Sequence, residues 1–243
     1  MLQTKSLALS RALLRIDGRD REVTMRLNPR ARRLIVKVHP TTGEITVVAP
    51  SKRALSHALD FARGESDWIA KKLSHVPKPV MFDLGSMVPY RGQLHRIVAG
   101  AGGPGPVWID NERELSIRAS GRPEHAARRV GDFLKQEARH RLGERTVHFA
   151  AKIEAKPRRL VIRDTASRWG SCSASHVLSY SWRLILAPDD VLDYVVAHEV
   201  AHLAEMNHGP KFWRLVRQLK PDYEMWQAWL VRNGTQLHRY GVR

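Results

Sequence analysis

The stretch from Val195 to His202 reads Val-Val-Ala-His-Glu-Val-Ala-His. It is apolar apart from two imidazoles and one carboxylate, so a helix formed here is buried and carries those three groups inside with it. An uncompensated polar group costs about 2–7 kcal/mol to bury, and a charge costs more. Any fold built on this stretch must therefore supply something that satisfies all three. His198 and His202 are four residues apart, which places both rings on one helix face, one turn from each other. That spacing suits two ligands of one metal ion. Glu199, between them, could act as general base on a water held by the metal.

A catalytic zinc takes three protein ligands and keeps one position open. His208 is favoured as the third ligand, because it follows the helix end and precedes Gly209-Pro210, where the chain can turn back. Glu205 in the last helical turn is the rival, and Asn207, a neutral amide, is the weaker alternative. The expected cofactor is one zinc ion per chain.

A second segment, Ser167-Arg168-Trp169-Gly170-Ser171-Cys172-Ser173, makes a poor helix but a plausible edge strand. Trp169, Gly170, Ser171 and Cys172 are candidate substrate-binding residues, since an edge strand beside a metal site can take an extended peptide by strand addition. A tight strand of small residues packed under the metal helix suits the same pattern. Cys172 is the only cysteine. It is read as a small core residue rather than a ligand or nucleophile, and its solitude fits a reducing, cytoplasmic setting. The N-terminus lacks the apolar core and cleavage site of a signal peptide. No run approaches the roughly 18 apolar residues of a membrane span.

The 243 residues carry 41 Lys and Arg against 24 Asp and Glu, a net charge of +17. Such an excess favours polyanionic partners, DNA among them, although a solvated basic surface gives the same count. Three regions are expected: a basic, loosely held extension over 1–20, a β-rich region with one helix over 21–122, and a catalytic domain over 123–243. A hairpin is predicted from strands at 34–38 and 45–48 across the Pro40–Gly43 turn, followed by a helix over about 53–74. Short strands are expected at 87–99 and 107–118, a long helix over about 123–152, and a hairpin or meander over 158–187. Helices over about 189–206, 210–219 and 221–232 complete an α+β chain.

The chain resembles the YgjP-like metallopeptidase family, within the zincin group that includes the SprT-like and WLM proteases. Arg168 to Ser173, Ser181 to Pro188, His198-Glu199-x-x-His202, Glu205 to His208 and Phe212-Trp213 carry the likeness, which extends over roughly residues 25–235. The resemblance implies a zincin-like catalytic half with an antiparallel sheet and an active-site helix, preceded by a smaller, mostly β half. It implies that His198, His202 and His208 bind zinc and that Glu199 is the catalytic base. The chemistry implied is hydrolysis of peptide bonds by a zinc-bound water that Glu199 activates. The substrate would be a peptide or protein, with DNA-associated proteins suggested by the related proteases and by the charge.

Tyr180, Arg183, Tyr223 and His238 are candidate oxyanion donors, and the sequence does not choose among them. Two other readings stand beside the peptidase. One is a zinc-dependent nucleoside triphosphate pyrophosphohydrolase, against which the chain shows no Gly-rich phosphate loop. The other is a nucleic-acid-binding module with structural zinc, in which Glu199 would have no purpose.

Overall fold

The computed structural model describes residues 8–112, 114–165 and 168–241. The architecture is mixed α+β, and the chain divides between Pro77 and Lys78 into two compact units. The first holds strands β1 (Ala8–Ile16), β2 (Arg19–Leu27), β3 (Ile35–Val38) and β4 (Ile45–Ala49) in the order β1-β2-β4-β3. β3 and β4 form the expected hairpin, and β2 runs parallel to β4.

Residues 8–20 correct the reading of 1–20 as an extension; residues 1–7 lie outside the described residues. β1 and β2 pair antiparallel across Asp17-Gly18, whose φ angles of 48° and 71° suit a tight hairpin turn. Leu14 and Ile16 are buried while Leu13 and Arg15 face solvent, the alternation of a half-covered strand. The expected single helix over 53–74 is three short ones, α1 (Lys52–Ser56), α2 (Ala58–Gly64) and α3 (Ser66–Ser74). The chain leaves helical geometry at His57 and again at Glu65, just after Gly64, a weak helix former. Ala58, Ala62 and Ile69 from these helices join Val23, Ile45 and Val47 in the core of this unit.

The second unit contains a sheet of β5 (Met87–Tyr90), β6 (Gln93–Ala99), β7 (Val107–Asp110) and β8 (Ser116–Ala119), ordered β5-β6-β8-β7. The long helix α4 (Ala126–Ala151) follows. Val88, Ile97 and Ile117 from this sheet share one core with Val130, Leu134 and Leu142 of α4. The expected boundary at 122/123 therefore falls inside this unit, because sheet and helix bury each other.

A three-stranded sheet comes next: β9 (Arg159–Arg163), β10 (Gly170–Cys172) and β11 (Val177–Ser181), ordered β10-β11-β9. It differs from the hairpin or meander expected over 158–187 and from the antiparallel sheet implied by the resemblance, because the sheet is mixed. β10 and β11 are an antiparallel hairpin, but β9 runs parallel to β11. After β9 the chain crosses past the position that β11 later fills, so β10 becomes an edge. The alternation read through Leu184 ends at Ser181, whose side chain accepts a bond from the Arg183 N–H and starts a 3-10 turn over Trp182–Leu186. All five residues of that turn are buried, which no half-covered strand could achieve.

Three helices complete the unit: α5 (Asp189–Ala201), α6 (Pro210–Leu219) and α7 (Tyr223–Leu237). α5 ends before the expected residue 206, and α7 runs beyond 232. No helix of the described residues is long and apolar enough to cross a membrane.

Arg183 ties the turn before α5 to the end of α7. Its buried guanidinium donates to the Asp164 carboxylate at 2.9 and 3.3 Å and to the carbonyls of Leu237 and Tyr240. Burial pushes the Asp164 carboxyl up, but the bonds and charge of Arg183 outweigh it and hold the group below 3.8. A depressed carboxylate contributes stability that is complete above its unfolded pKa and is lost as pH falls through the lower folded value. Unfolding midpoints measured against pH should therefore fall below about pH 4 in the wild type, and Asp164→Asn should flatten that acid limb.

Candidate metal centre

α5 is apolar almost all round and is covered by α4, α6, α7 and the edge strand β10. Acids at its start, Asp189 and Asp190, suit the positive end of the helix dipole. His198 and Glu199 lie in its last turn and His202 caps it. Beyond His202 the chain tightens through bonds from Leu203, Ala204 and Glu205 back to Val200 and Ala201. It then turns at Gly209, where Pro210 begins α6. This turn returns His208 to the face of α5 that carries the other two histidines.

The ring nitrogens of His198, His202 and His208 lie within 4.8 Å of one another, a cluster that could hold one metal ion. The Nε2 atoms of His198 and His208 are 3.2 Å apart. His202 donates its Nδ1–H to the Glu205 carbonyl at 3.1 Å, which leaves Nε2 with a free lone pair. Glu205 thus serves through its backbone, and its carboxylate is not part of the cluster. The Nδ1 of His198 is buried with no hydrogen-bond partner among the described residues. Phe212 lies beneath all three rings, at 4.9, 4.5 and 4.7 Å from His198, His202 and His208. This apolar floor and the crowding of like groups favour the neutral form of His198 and His202. Burial, with His202 and His208 adding to it, lowers His198 to about 4, and burial lowers His202 as well. Neutral imidazole is the form that ligates a metal, so the donor set fits a cation.

Glu199 is 6% exposed and points at β10. Burial raises its carboxyl to about 7, and the positive charge of Arg168 offsets part of that rise. A Cβ on Gly170 would stand 2.5 Å from both Cγ and Oε1 of Glu199. The missing side chain is what lets the carboxylate fit between helix and strand.

The other sequence-predicted residues take distinct places. Gly170, Ser171 and Cys172 form β10, and Trp169 precedes it, packed at 4.8 Å against the ring of His238. Ser167 lies outside the described residues. Burial and the nearby Glu199 charge raise the Cys172 thiol. Bonds from Ser181 N to Trp169 O and from Ser173 N to Val177 O bracket the hairpin. By antiparallel alternation, the N–H and C=O of Gly170 and Cys172 point away from β11.

The four oxyanion candidates are engaged elsewhere. Tyr180 is buried against Thr146, and Arg183 is held by Asp164. Tyr223 is stacked between Trp213 and Tyr194 and donates to Glu224. His238 covers Trp169. Sequence reasoning missed Tyr194, one turn before His198 on the same face, whose ring lies 6.0 Å from it. The i, i+4 spacing was the available signal.

Fold and site together define an α+β protein with a three-histidine cluster, at the end of one helix and in the turn that follows it, beside an edge strand. A family model described as YgjP-like, metallopeptidase domain, matches residues 32–233, and the chain belongs to that family. The family is one of hydrolases. No match is found among curated proteins or among solved structures.

The contact between Gly170 and Glu199 is open to a double-mutant cycle. Gly170→Ala should destabilise the protein by about 1–3 kcal/mol through overpacking. In a Glu199→Ala background most of that cost should vanish, giving a coupling of about 1 kcal/mol or more in denaturant unfolding. Additive effects would show that the two residues do not meet.

Proposed function

We propose that the chain is a zinc-dependent metallopeptidase that hydrolyses peptide bonds, with His198, His202 and His208 as zinc ligands and Glu199 as general base. The convergence of three imidazoles on one point, with a buried carboxylate in the helical position after His198, carries this reading. Zinc held by these rings would supply Lewis-acid polarisation of a carbonyl and a water of lowered pKa. Glu199 takes a proton from the attacking water and returns it to the departing amine, which requires one group to be both base and acid near neutral pH. Gly170 lets that carboxylate lie close to the edge of β10, where the outward N–H and C=O groups of Gly170 and Cys172 suit an extended peptide backbone. Phe212 excludes water beneath the rings. Glu205, through its carbonyl, fixes the tautomer of His202.

The excess of 17 positive charges favours substrates held on a polyanion, with proteins associated with DNA as the proposed class. The lone cysteine suits a reducing cytoplasm. The test is a cleavage time course on a basic DNA-binding protein and on an unstructured protein, with and without single-stranded DNA. Wild type should cleave, faster with DNA. Glu199→Gln should lose about 10²–10⁴-fold in rate while still binding one zinc per chain by elemental analysis. A Glu199→Gln variant of full activity would sink the mechanism.

Metal removal gives a separate expectation. Chelation should abolish cleavage and zinc should restore it. Zinc at 1,000 times its Kd should stabilise the fold by about 4 kcal/mol, read as a raised unfolding midpoint. His202→Ala should lose most of that zinc-dependent rise.

A further inference from the structure

The face of β10 opposite the metal cluster has its own chemistry. Leu178 and Tyr180 of β11 are buried in the core, and Gly170 pairs with Tyr180 on that side, toward Glu199. Strand periodicity then sends Ser171 and its partner Ser179 to the outer face. There they line a cavity of about 250 Å³ together with Arg163, Thr165 and Arg168, with Gly170 and Tyr180 at its base. Thr165 donates its hydroxyl to the Arg168 carbonyl at 2.8 Å. Neither Arg163 nor Arg168 has an ion-pair partner among the described residues; the neighbouring Asp164 is taken by Arg183. Two unpaired guanidiniums and two serine hydroxyls therefore surround a pocket that shares Gly170 with the metal centre. The charge of Arg168 reaches Glu199, so pocket and site are electrostatic neighbours.

An extended peptide on the open edge of β10 places successive side chains on opposite faces of the sheet. Those on one face point toward α5 and those on the other toward this pocket. We propose that the pocket is a specificity subsite that takes an acidic side chain, aspartate or glutamate, of a peptide lying along β10. The inference rests on the peptidase reading for its substrate. A carboxylate suits the donors present, because guanidinium forks bind it through paired, charge-assisted hydrogen bonds. The volume suits one side chain, lying below the roughly 300–1,000 Å³ of pockets that enclose whole small molecules.

The test separates binding from catalysis. Rhodamine-labelled ten-residue peptides, each with one glutamate walked through a neutral sequence, are titrated against the zinc-loaded Glu199→Gln protein in about 0.15 M salt. Glutamine counterparts serve as controls, and wild-type protein is assayed for cleavage of the same peptides. At one glutamate position binding should be about tenfold tighter than for glutamine, as expected of a charge-assisted pair. Arg163→Gln with Arg168→Gln should bring the ratio to within about twofold, and Arg168→Lys alone should keep part of it. Both arginines are exposed, and an unchanged unfolding midpoint will confirm that the variants fold. Equal binding of the two peptide series overturns the subsite, as does a preference that survives the double variant. UTP displacing the peptides more tightly than the best glutamate peptide binds would give the pocket to a nucleotide and also overturn it. Selective binding with no wild-type cleavage would keep the subsite and remove the peptidase reading; cleavage without selectivity would do the reverse.

Discussion

The structure of the second unit depends on one constraint, the burial of α5 with three polar side chains at its end. An apolar helix packs anywhere that water is excluded, but His198, Glu199 and His202 admit few surroundings. Raising a carboxyl from 4.5 to about 7 corresponds to a net cost of charging it on the order of 3 kcal/mol, with burial partly offset by Arg168. The fold confines this cost to one place. Phe212 closes the site from below, Gly170 opens it by the width of a methyl group, and the 203–209 turn returns His208 across the top. Each neighbour follows from the need to keep these groups dry and still leave their ring nitrogens free.

The edge strand needs support of its own, since β10 has only three residues and one pairing partner. That support comes from α7. Trp169, just before β10, lies against His238, and a Cβ at Gly234 would approach its indole to 3.1 Å. The far end of α7 is in turn held by Arg183, which reaches the carbonyls of Leu237 and Tyr240. The C-terminal helix thus grips the strand that lies against Glu199, and Asp164 at the end of β9 completes the brace. Two of the residues considered as oxyanion donors, Arg183 and His238, belong to this brace.

What the sequence made legible was local. The four-residue spacing of His198 and His202 needs only a helix to bring the rings together, and the Gly209-Pro210 break marks where His208 turns back. The β3–β4 hairpin was visible for the same reason, as two alternating runs around a Gly turn. What escaped depends on partners distant in sequence. In β1 the apolar alternation of Leu14 and Ile16 is diluted by arginines, and Asp17-Gly18 was the one signal of its hairpin. The parallel pairing of β9 with β11 is set by a strand that the chain reaches only after β10. The division at Pro77/Lys78 reflects which core each strand joins, and neither sheet shows that in its own residues. The small residues at 170–172 advertised a close approach, but the group that approaches, Glu199, lies some thirty positions away.

The register of α5 decides whether the site exists at all, and apolar burial alone does not set it. A helix coated with Val, Leu and Ala can turn about its axis at little cost, and each residue of rotation moves a side chain by 100°. Four ion pairs, made by three acids, resist that motion. Asp189 accepts from Arg91 and Arg141, Asp193 takes a two-pronged bond from Arg145 at 2.6 and 2.8 Å, and Lys220 binds Asp190 at 2.6 Å. Partly exposed pairs of this kind contribute about 1 kcal/mol or less each, so their main effect is geometric. They fix the first turns of α5 to α4, to the β5–β6 turn and to the α6–α7 turn. With that end held, the 3.6-residue period delivers His198, Glu199 and His202 to Phe212 and Gly170. The acids in this basic chain that matter most to the site are therefore those that orient its helix.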